Sequence, residues 1–167
     1  MHNELTEVDI RKMQEEIDHR IQVLRPQLIE DVKVARAFGD LSENFEYKAA
    51  KRDKNRNESR IRYLQQMIKT AVIIKPESKD DEIGLFDRVT ILVEKTGKEQ
   101  QLQIVTTLRQ NAMAGYVSKE SPVGQALLGH KVGDRVLVKV NDTLSYYAVV
   151  KAVEKGSDNE DLPISGY

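Results

Sequence analysis

Apolar residues in the first half of the chain recur by threes and fours. Ile10, Met13, Ile17, Ile21, Leu24, Leu28, Val32 and Ala35 form one such stripe. The spacing amounts to an eleven-residue repeat, about 3.67 residues per turn, which holds a stripe on one side of a nearly straight helix. Thr6 followed by Asp9 has the form of a capping box and starts that helix. Pro26 removes a helical hydrogen bond, yet the stripe keeps its phase across it, which predicts a kink rather than an end. A second stripe runs through Ala50, Lys54 (by its methylene stem), Asn57, Ile61, Leu64, Ile68 and Ala71. Between the two lies Phe38-Gly39-Asp40-Leu41-Ser42-Glu43, a connection so short that the helices it joins must run antiparallel. Gly39 suits the end of the first helix. Each helix spans about 25 to 30 residues, or roughly 40 Å. Toward the turn the stripe thins to Ala35, Ala49 and Ala50, with Asp53 and Asn57 where large aliphatics would be expected. The distal hairpin therefore has little core and is expected to project.

The period changes after Lys75-Pro76. Residues 77–82 are polar and charged and read as a linker. Residues 87–93 alternate and are rich in β-branched side chains, and 101–106 answer them across Thr96-Gly97-Lys98 as a hairpin. Residues 114–118, 135–140 and 146–152 read as further strands. Ser121-Pro122 opens a short helix that Gly129 closes. The expectation is an α+β protein: a helical hairpin over 1–76, a linker over 77–82, a small β-sheet domain with one short helix over 83–155, and a loose tail over 156–167.

Composition narrows the chemistry. Of the 167 residues, 40% are hydrophobic, 32% charged and only 5% aromatic, which suits a long charged helical element beside a compact domain. A formal net charge of −1 argues against a general polyanion-coating protein. Cysteine is absent, so disulfides and thiolate metal sites are excluded, and the scattered His2, His19 and His130 have no metal-ligand spacing. No signal peptide opens the sequence and no apolar run approaches the roughly 20 residues of a membrane span. The expectation is a cytoplasmic protein with no membrane partner.

Asp40 and Glu43, three apart in the turn, fit two chemistries. They can share one divalent cation, since Mg²⁺ prefers oxygen ligands and keeps several waters, but two carboxylates alone make a weak, incomplete site. They can equally be a solvated acidic helix start, favoured by the positive end of the helix dipole. Glu46 is a third acid close by. Around the turn stand Arg36, Lys48, Lys51, Arg52, Lys54, Arg56, Arg60 and Arg62. At helical intervals these cations could follow a phosphate backbone or form an ordinary solvated face. Tyr47 is expected to pack against the opposite helix, while Phe45 could pack there or stack on a base.

The stretch Ala35-Arg36-Ala37-Phe38-Gly39-Asp40-Leu41-Ser42-Glu43-Asn44-Phe45-Glu46-Tyr47-Lys48-Ala49-Ala50-Lys51 closely resembles the coiled-coil tip signature of the bacterial GreA/GreB transcript cleavage factors. Leu24-Arg25-Pro26, Ser59-Arg60-Ile61 and Ser121-Pro122-Val123-Gly124-Gln125-Ala126-Leu127-Leu128-Gly129 extend the likeness over most of the chain. The resemblance implies an antiparallel coiled-coil hairpin followed by an FKBP-like domain, without prolyl isomerase activity. It implies a protein that is not itself an enzyme, has no small-molecule substrate, docks on RNA polymerase through its C-terminal domain and passes the coiled coil down the secondary channel. There it would stimulate the polymerase's own cleavage of the backtracked nascent RNA 3′ end. On that likeness Asp40 and Glu43 help hold a Mg²⁺ shared with the polymerase and orient the attacking water, and no cofactor is tightly bound. Arg36 and Arg52, with Lys48 and Lys51, correspond to the basic patch on the extruded RNA. The other reading within the family is a secondary-channel regulator or inhibitor without cleavage stimulation, which the two intact acids disfavour. Phe45 stands where a small residue, often Ala, is common, and the modest net charge is GreA-like rather than GreB-like.

Overall fold

The computed structural model describes residues 3–39 and 44–166. They form two compact units, one of Ile10–Ala71 and one that combines residues up to Asp9 with those from Val72 onward.

The first unit is the hairpin. Helix α1 (Glu7–His19) runs through a π-helical turn, Arg20–Leu24, into α2 (Arg25–Arg36), and α3 (Phe45–Thr70) packs along α2. Met13, Ile17, Val32 and Ala35 of the first stripe and Ile61 and Leu64 of the second are buried, as their spacing predicts. The proline effect falls on the turn before it. Pro26 has no N–H, and its ring would strike the carbonyl four residues back in a regular α-helix. The wider π turn, in which Arg25 N–H donates to the Arg20 carbonyl, accommodates both without ending the helix.

The middle of the seam is polar. Buried Asn57 donates its amide to the Arg20 carbonyl at 3.2 Å and accepts from Arg20 Nη1 at 2.9 Å. Buried Arg60 forks onto Glu16 with bonds of 3.0 and 3.1 Å, and Arg20 adds a third at 2.9 Å. Arg25 and Glu58 make a second fork, at 2.7 and 2.9 Å. Burial alone would push the Glu16 carboxyl up, but the Arg60 and Arg20 hydrogen bonds and charges outweigh it and hold it below its usual value.

The second unit is built on a five-stranded mixed sheet, order β5-β4-β3-β7-β6. Its strands are β3 (Arg88–Val93), β4 (Lys98–Val105), β5 (Tyr116–Ser118), β6 (Arg135–Lys139) and β7 (Ser145–Glu154), and α4 (Pro122–Leu127) is its one short α-helix. All pairs are antiparallel except β4 with β5. Strict alternation in β6 buries Val136 and Val138 and exposes Arg135, Leu137 and Lys139. These two valines join Val89, Ile91, Leu102, Ile104, Ala148, Val150 and Leu127 of α4 in the main core. Ser121 caps α4 by accepting from Gly124 N–H at 3.1 Å, with Pro122 at the first helical position, as expected. The helical hairpin followed by a small mixed sheet with one short helix matches the α+β fold class that the sequence predicts.

Two chain segments sit differently from the sequence reading. Residues 4–5 (β1, Glu4–Leu5) do not belong to the hairpin but pair in parallel with β2 (Val72–Ile73). Two-residue strands leave no periodicity to detect. The tail expected to be loose is held by side chains. Leu162 buries against Phe86 and Val105, and Ser165 donates both its N–H and its hydroxyl to the Leu108 carbonyl. At its start, Gly156 N–H donates to Asp87 at 2.9 Å, and a Cβ at Gly156 would run into the Phe86 carbonyl. Lys155 secures the expected linker as well, donating to the Lys79 and Glu82 carbonyls and to buried Asp87.

Beneath the tail lies a buried charge cluster. Arg109 Nε is 2.7 Å from Asp9 Oδ1, off the line of a hydrogen bond, while Nη1 donates to Asp158 and to the Asn159 carbonyl. Its guanidinium also lies over the Phe86 ring, 5.4 Å from the centroid. Phe86 takes a left-handed backbone (φ +71°), rare for an aromatic residue, and complete burial pins it there. The Thr6 hydroxyl donates to Asp158 at 2.6 Å, while Thr6 and Asp9 close the reciprocal capping box at 3.0 and 3.3 Å.

Candidate functional site

The end of the hairpin is assembled by one side chain that sequence reasoning passed over. Asn44 precedes α3 and accepts from Tyr47 N–H at 2.9 Å through Oδ1, the role of a helix N-cap. Its Nδ2 donates back to the Ala35 carbonyl at 2.6 Å, near the end of α2. One amide therefore starts the second helix and ties it to a carbonyl near the end of the first, which also accepts from Phe38 N–H at 3.2 Å. An asparagine just before a helical run is a recognisable cap signal, but its bond to Ala35 depends on the turn and has no local signature. Ala37 ends α2 in helical geometry, and Gly39 takes a positive φ of 129°.

Asp40 and Glu43, with Leu41 and Ser42, lie outside the described residues. In the chain they fall between Gly39 and Asn44, inside the connection that joins α2 to α3. Among the described residues no group of three or more acidic or imidazole side chains stands where it could hold a metal ion.

The four predicted basic residues divide by helix. Arg36, at the end of α2, places its guanidinium over the Tyr47 ring of α3, 5.6 Å from the centroid. Its hydrogen bond to the Tyr47 hydroxyl, aided by the charges of Lys51 and Lys54, holds the phenol below its usual pKa. Tyr47 thus packs across the hairpin onto Arg36, in line with its expected packing on the opposite helix. Lys48, Lys51 and Arg52 are exposed on α3, and their i, i+3 and i, i+4 spacing puts them on neighbouring turns of one side. Lys48 lies over the Phe45 ring, 5.8 Å from the centroid. Phe45 does not pack on the opposite helix: it is 80% exposed, and Phe38 before the turn is 72% exposed. No helix among the described residues is long and apolar enough to cross a membrane.

A hairpin of long helices with cations and aromatic rings near its connected ends, followed in the chain by a mixed sheet, defines a class of two-domain proteins. Comparison with known families identifies both parts. The family described as "Transcription elongation factor, N-terminal" matches residues 3–73, and "Transcription elongation factor, GreA/GreB, C-term" matches 77–155. The chain belongs to the GreA/GreB family of transcription elongation factors. It is similar to transcription elongation factor GreA of Syntrophotalea carbinolica, with 40% identity over 147 residues that cover 87% of this chain and 93% of that one. GreA of Thermotoga neapolitana is 38% identical over 151 residues, covering 90% and 97%. Among solved structures, GreA factor homolog 1 (Gfh1) of Thermus thermophilus is 24% identical, covers 93% of this chain and all of that one, and superposes with a TM-score of 0.42.

Proposed function

We propose that this protein works in the cytoplasm as a cleavage-stimulating elongation factor, docking on RNA polymerase and passing its hairpin into the secondary channel to reach a backtracked transcript. What supports this reading is the sequence order: Asp40 and Glu43 fall between Gly39 and Asn44, and the two helices that flank them carry Arg36, Lys48, Lys51 and Arg52. Two carboxylates are a fitting but incomplete donor set for Mg²⁺, so the remaining ligands come from carboxylates of the polymerase. Bound between the two proteins, the metal would stabilise the attacking and leaving oxygens of an in-line displacement. Asp40 and Glu43 also accept hydrogen bonds from the attacking water and orient it. Arg36, which lies over the Tyr47 ring, and Lys48, Lys51 and Arg52 neutralise phosphates of the extruded RNA. The chain is then no enzyme by itself, since half of the site belongs to its partner.

The test is to add the protein to stalled, backtracked elongation complexes of the cognate polymerase in Mg²⁺ and follow release of the 3′ RNA fragment. Wild type is expected to accelerate release, and Asp40→Ala or Glu43→Ala to lower that stimulation by about a hundredfold. A wild-type protein that leaves the rate unchanged would make the chain a channel regulator without cleavage stimulation. Full stimulation by both variants would show that the acids are not the site.

A further inference from the structure

Phe45 is the first residue of α3 and leaves four-fifths of its surface in water. A ring so exposed forgoes most of the stabilisation that burial gives a Phe side chain. The hairpin does have a place for an aromatic ring: Tyr47, two residues on, turns across to Arg36 and is half-buried. Phe45 is directed elsewhere, with the Lys48 ammonium over its ring and Lys51 and Arg52 exposed on the following turns. A cation stands over the ring and two more follow along the helix, which makes it a poor seat for an apolar peptide. A planar hydrophobic face among positive charges matches a strand that carries both phosphates and unpaired planar bases.

We propose that Phe45 is a stacking platform for an unpaired nucleobase of the extruded RNA, with Lys48 on its ring and Lys51 and Arg52 beside it for the backbone. This rests on the function proposed above and adds to it a positioning residue distinct from the acids and the phosphate-binding cations. The ring would hold the displaced 3′ segment in place during cleavage. Because every base offers a π-face, the platform tolerates sequence, but purines stack more strongly and would be held better.

The experiment uses backtracked complexes whose RNA carries 2-aminopurine in the extruded segment, with wild type, Phe45→Ala and Phe45→Trp as full-length proteins. Stacking quenches 2-aminopurine, so wild type and Phe45→Trp are expected to quench and Phe45→Ala to lose the quench. The concentration of Phe45→Ala for half-maximal cleavage should rise about tenfold, more than its plateau rate falls, and Phe45→Trp should restore it. Helicity by circular dichroism checks that the exposed substitution leaves the hairpin folded. Equal quenching and equal half-maximal concentration for wild type and Phe45→Ala would overturn the proposal. So would an equal loss of affinity for complexes without extruded RNA, which would assign the ring to the protein wall of the channel. If wild type itself fails to stimulate cleavage, the proposed function falls first and takes this inference with it.

Discussion

Arg109 places its guanidinium out of solvent between Asp9 and Asp158 and against the Phe86 ring. Truncating one partner of such a buried set leaves uncompensated charge on the others, and that penalty exceeds what the pair itself contributes. Arg109→Ala should therefore destabilise the protein by about 3–5 kcal/mol in urea unfolding. A loss below 1 kcal/mol would mean that water reaches the cluster and screens it. None of this is legible in the sequence at the residue scale. Asp9 announces itself only as half of a capping box, and Arg109 and Asp158 sit in irregular stretches with no period to place them. At the turn the outcome is mixed. Tyr47 was expected to pack against the opposite helix and does so at Arg36, whereas the exposure of Phe45 could only be settled by seeing which way the start of α3 faces.

At the scale of elements the hairpin was the most legible part, because a stripe repeated over many turns averages out single exceptions. The exceptions had physical causes. Asn57 and Arg60, where the second stripe offers polar side chains, are buried but satisfied by Arg20 and Glu16. Proline produced a π turn because widening the helix costs less than breaking it, and Arg20 within that turn uses its side chain and carbonyl to bind α3. The seam has a pH dependence of known sign. Glu16 is held below its ordinary value, so its contribution to stability is complete above the unfolded pKa near 4.5 and is lost as pH falls through the lower folded value. The urea midpoint of the hairpin's unfolding should be flat above about pH 5 on this account and drop below pH 4. Glu16→Gln should remove part of that drop while lowering the plateau. An unchanged acid limb in the variant would assign the loss to other carboxylates.

At the scale of the whole molecule the sequence showed two domains and their order, because the switch from a period near 3.6 to a period of 2 is a bulk property of each half. It did not show that the second domain is completed by both ends of the chain. β1 and the Thr6–Asp9 cap lie far in sequence from β2, Arg109 and Asp158, and the tail is held by single side chains: Asp158 by Thr6, Leu162 against Phe86 and Val105, and Ser165 on the Leu108 carbonyl. Ending the chain at Gly156 removes Asp158 and Leu162 together and should lower stability by about 2–4 kcal/mol. Combined with Arg109→Ala, the two losses should fall short of their sum by about 1–3 kcal/mol, since both dismantle one cluster. Strict additivity in that cycle would separate the tail from the arginine.

The same arrangement sets an order of events during synthesis. The hairpin's helices find their partners within a continuous stretch and can zip as soon as both have left the ribosome. Thr6 must wait for Asp158, 152 positions later, which at 5–20 residues per second is roughly 8–30 s. Thr6 and Asp9 are thus made long before their partners, Asp9 waiting first for Arg109 and Thr6 longer still for Asp158.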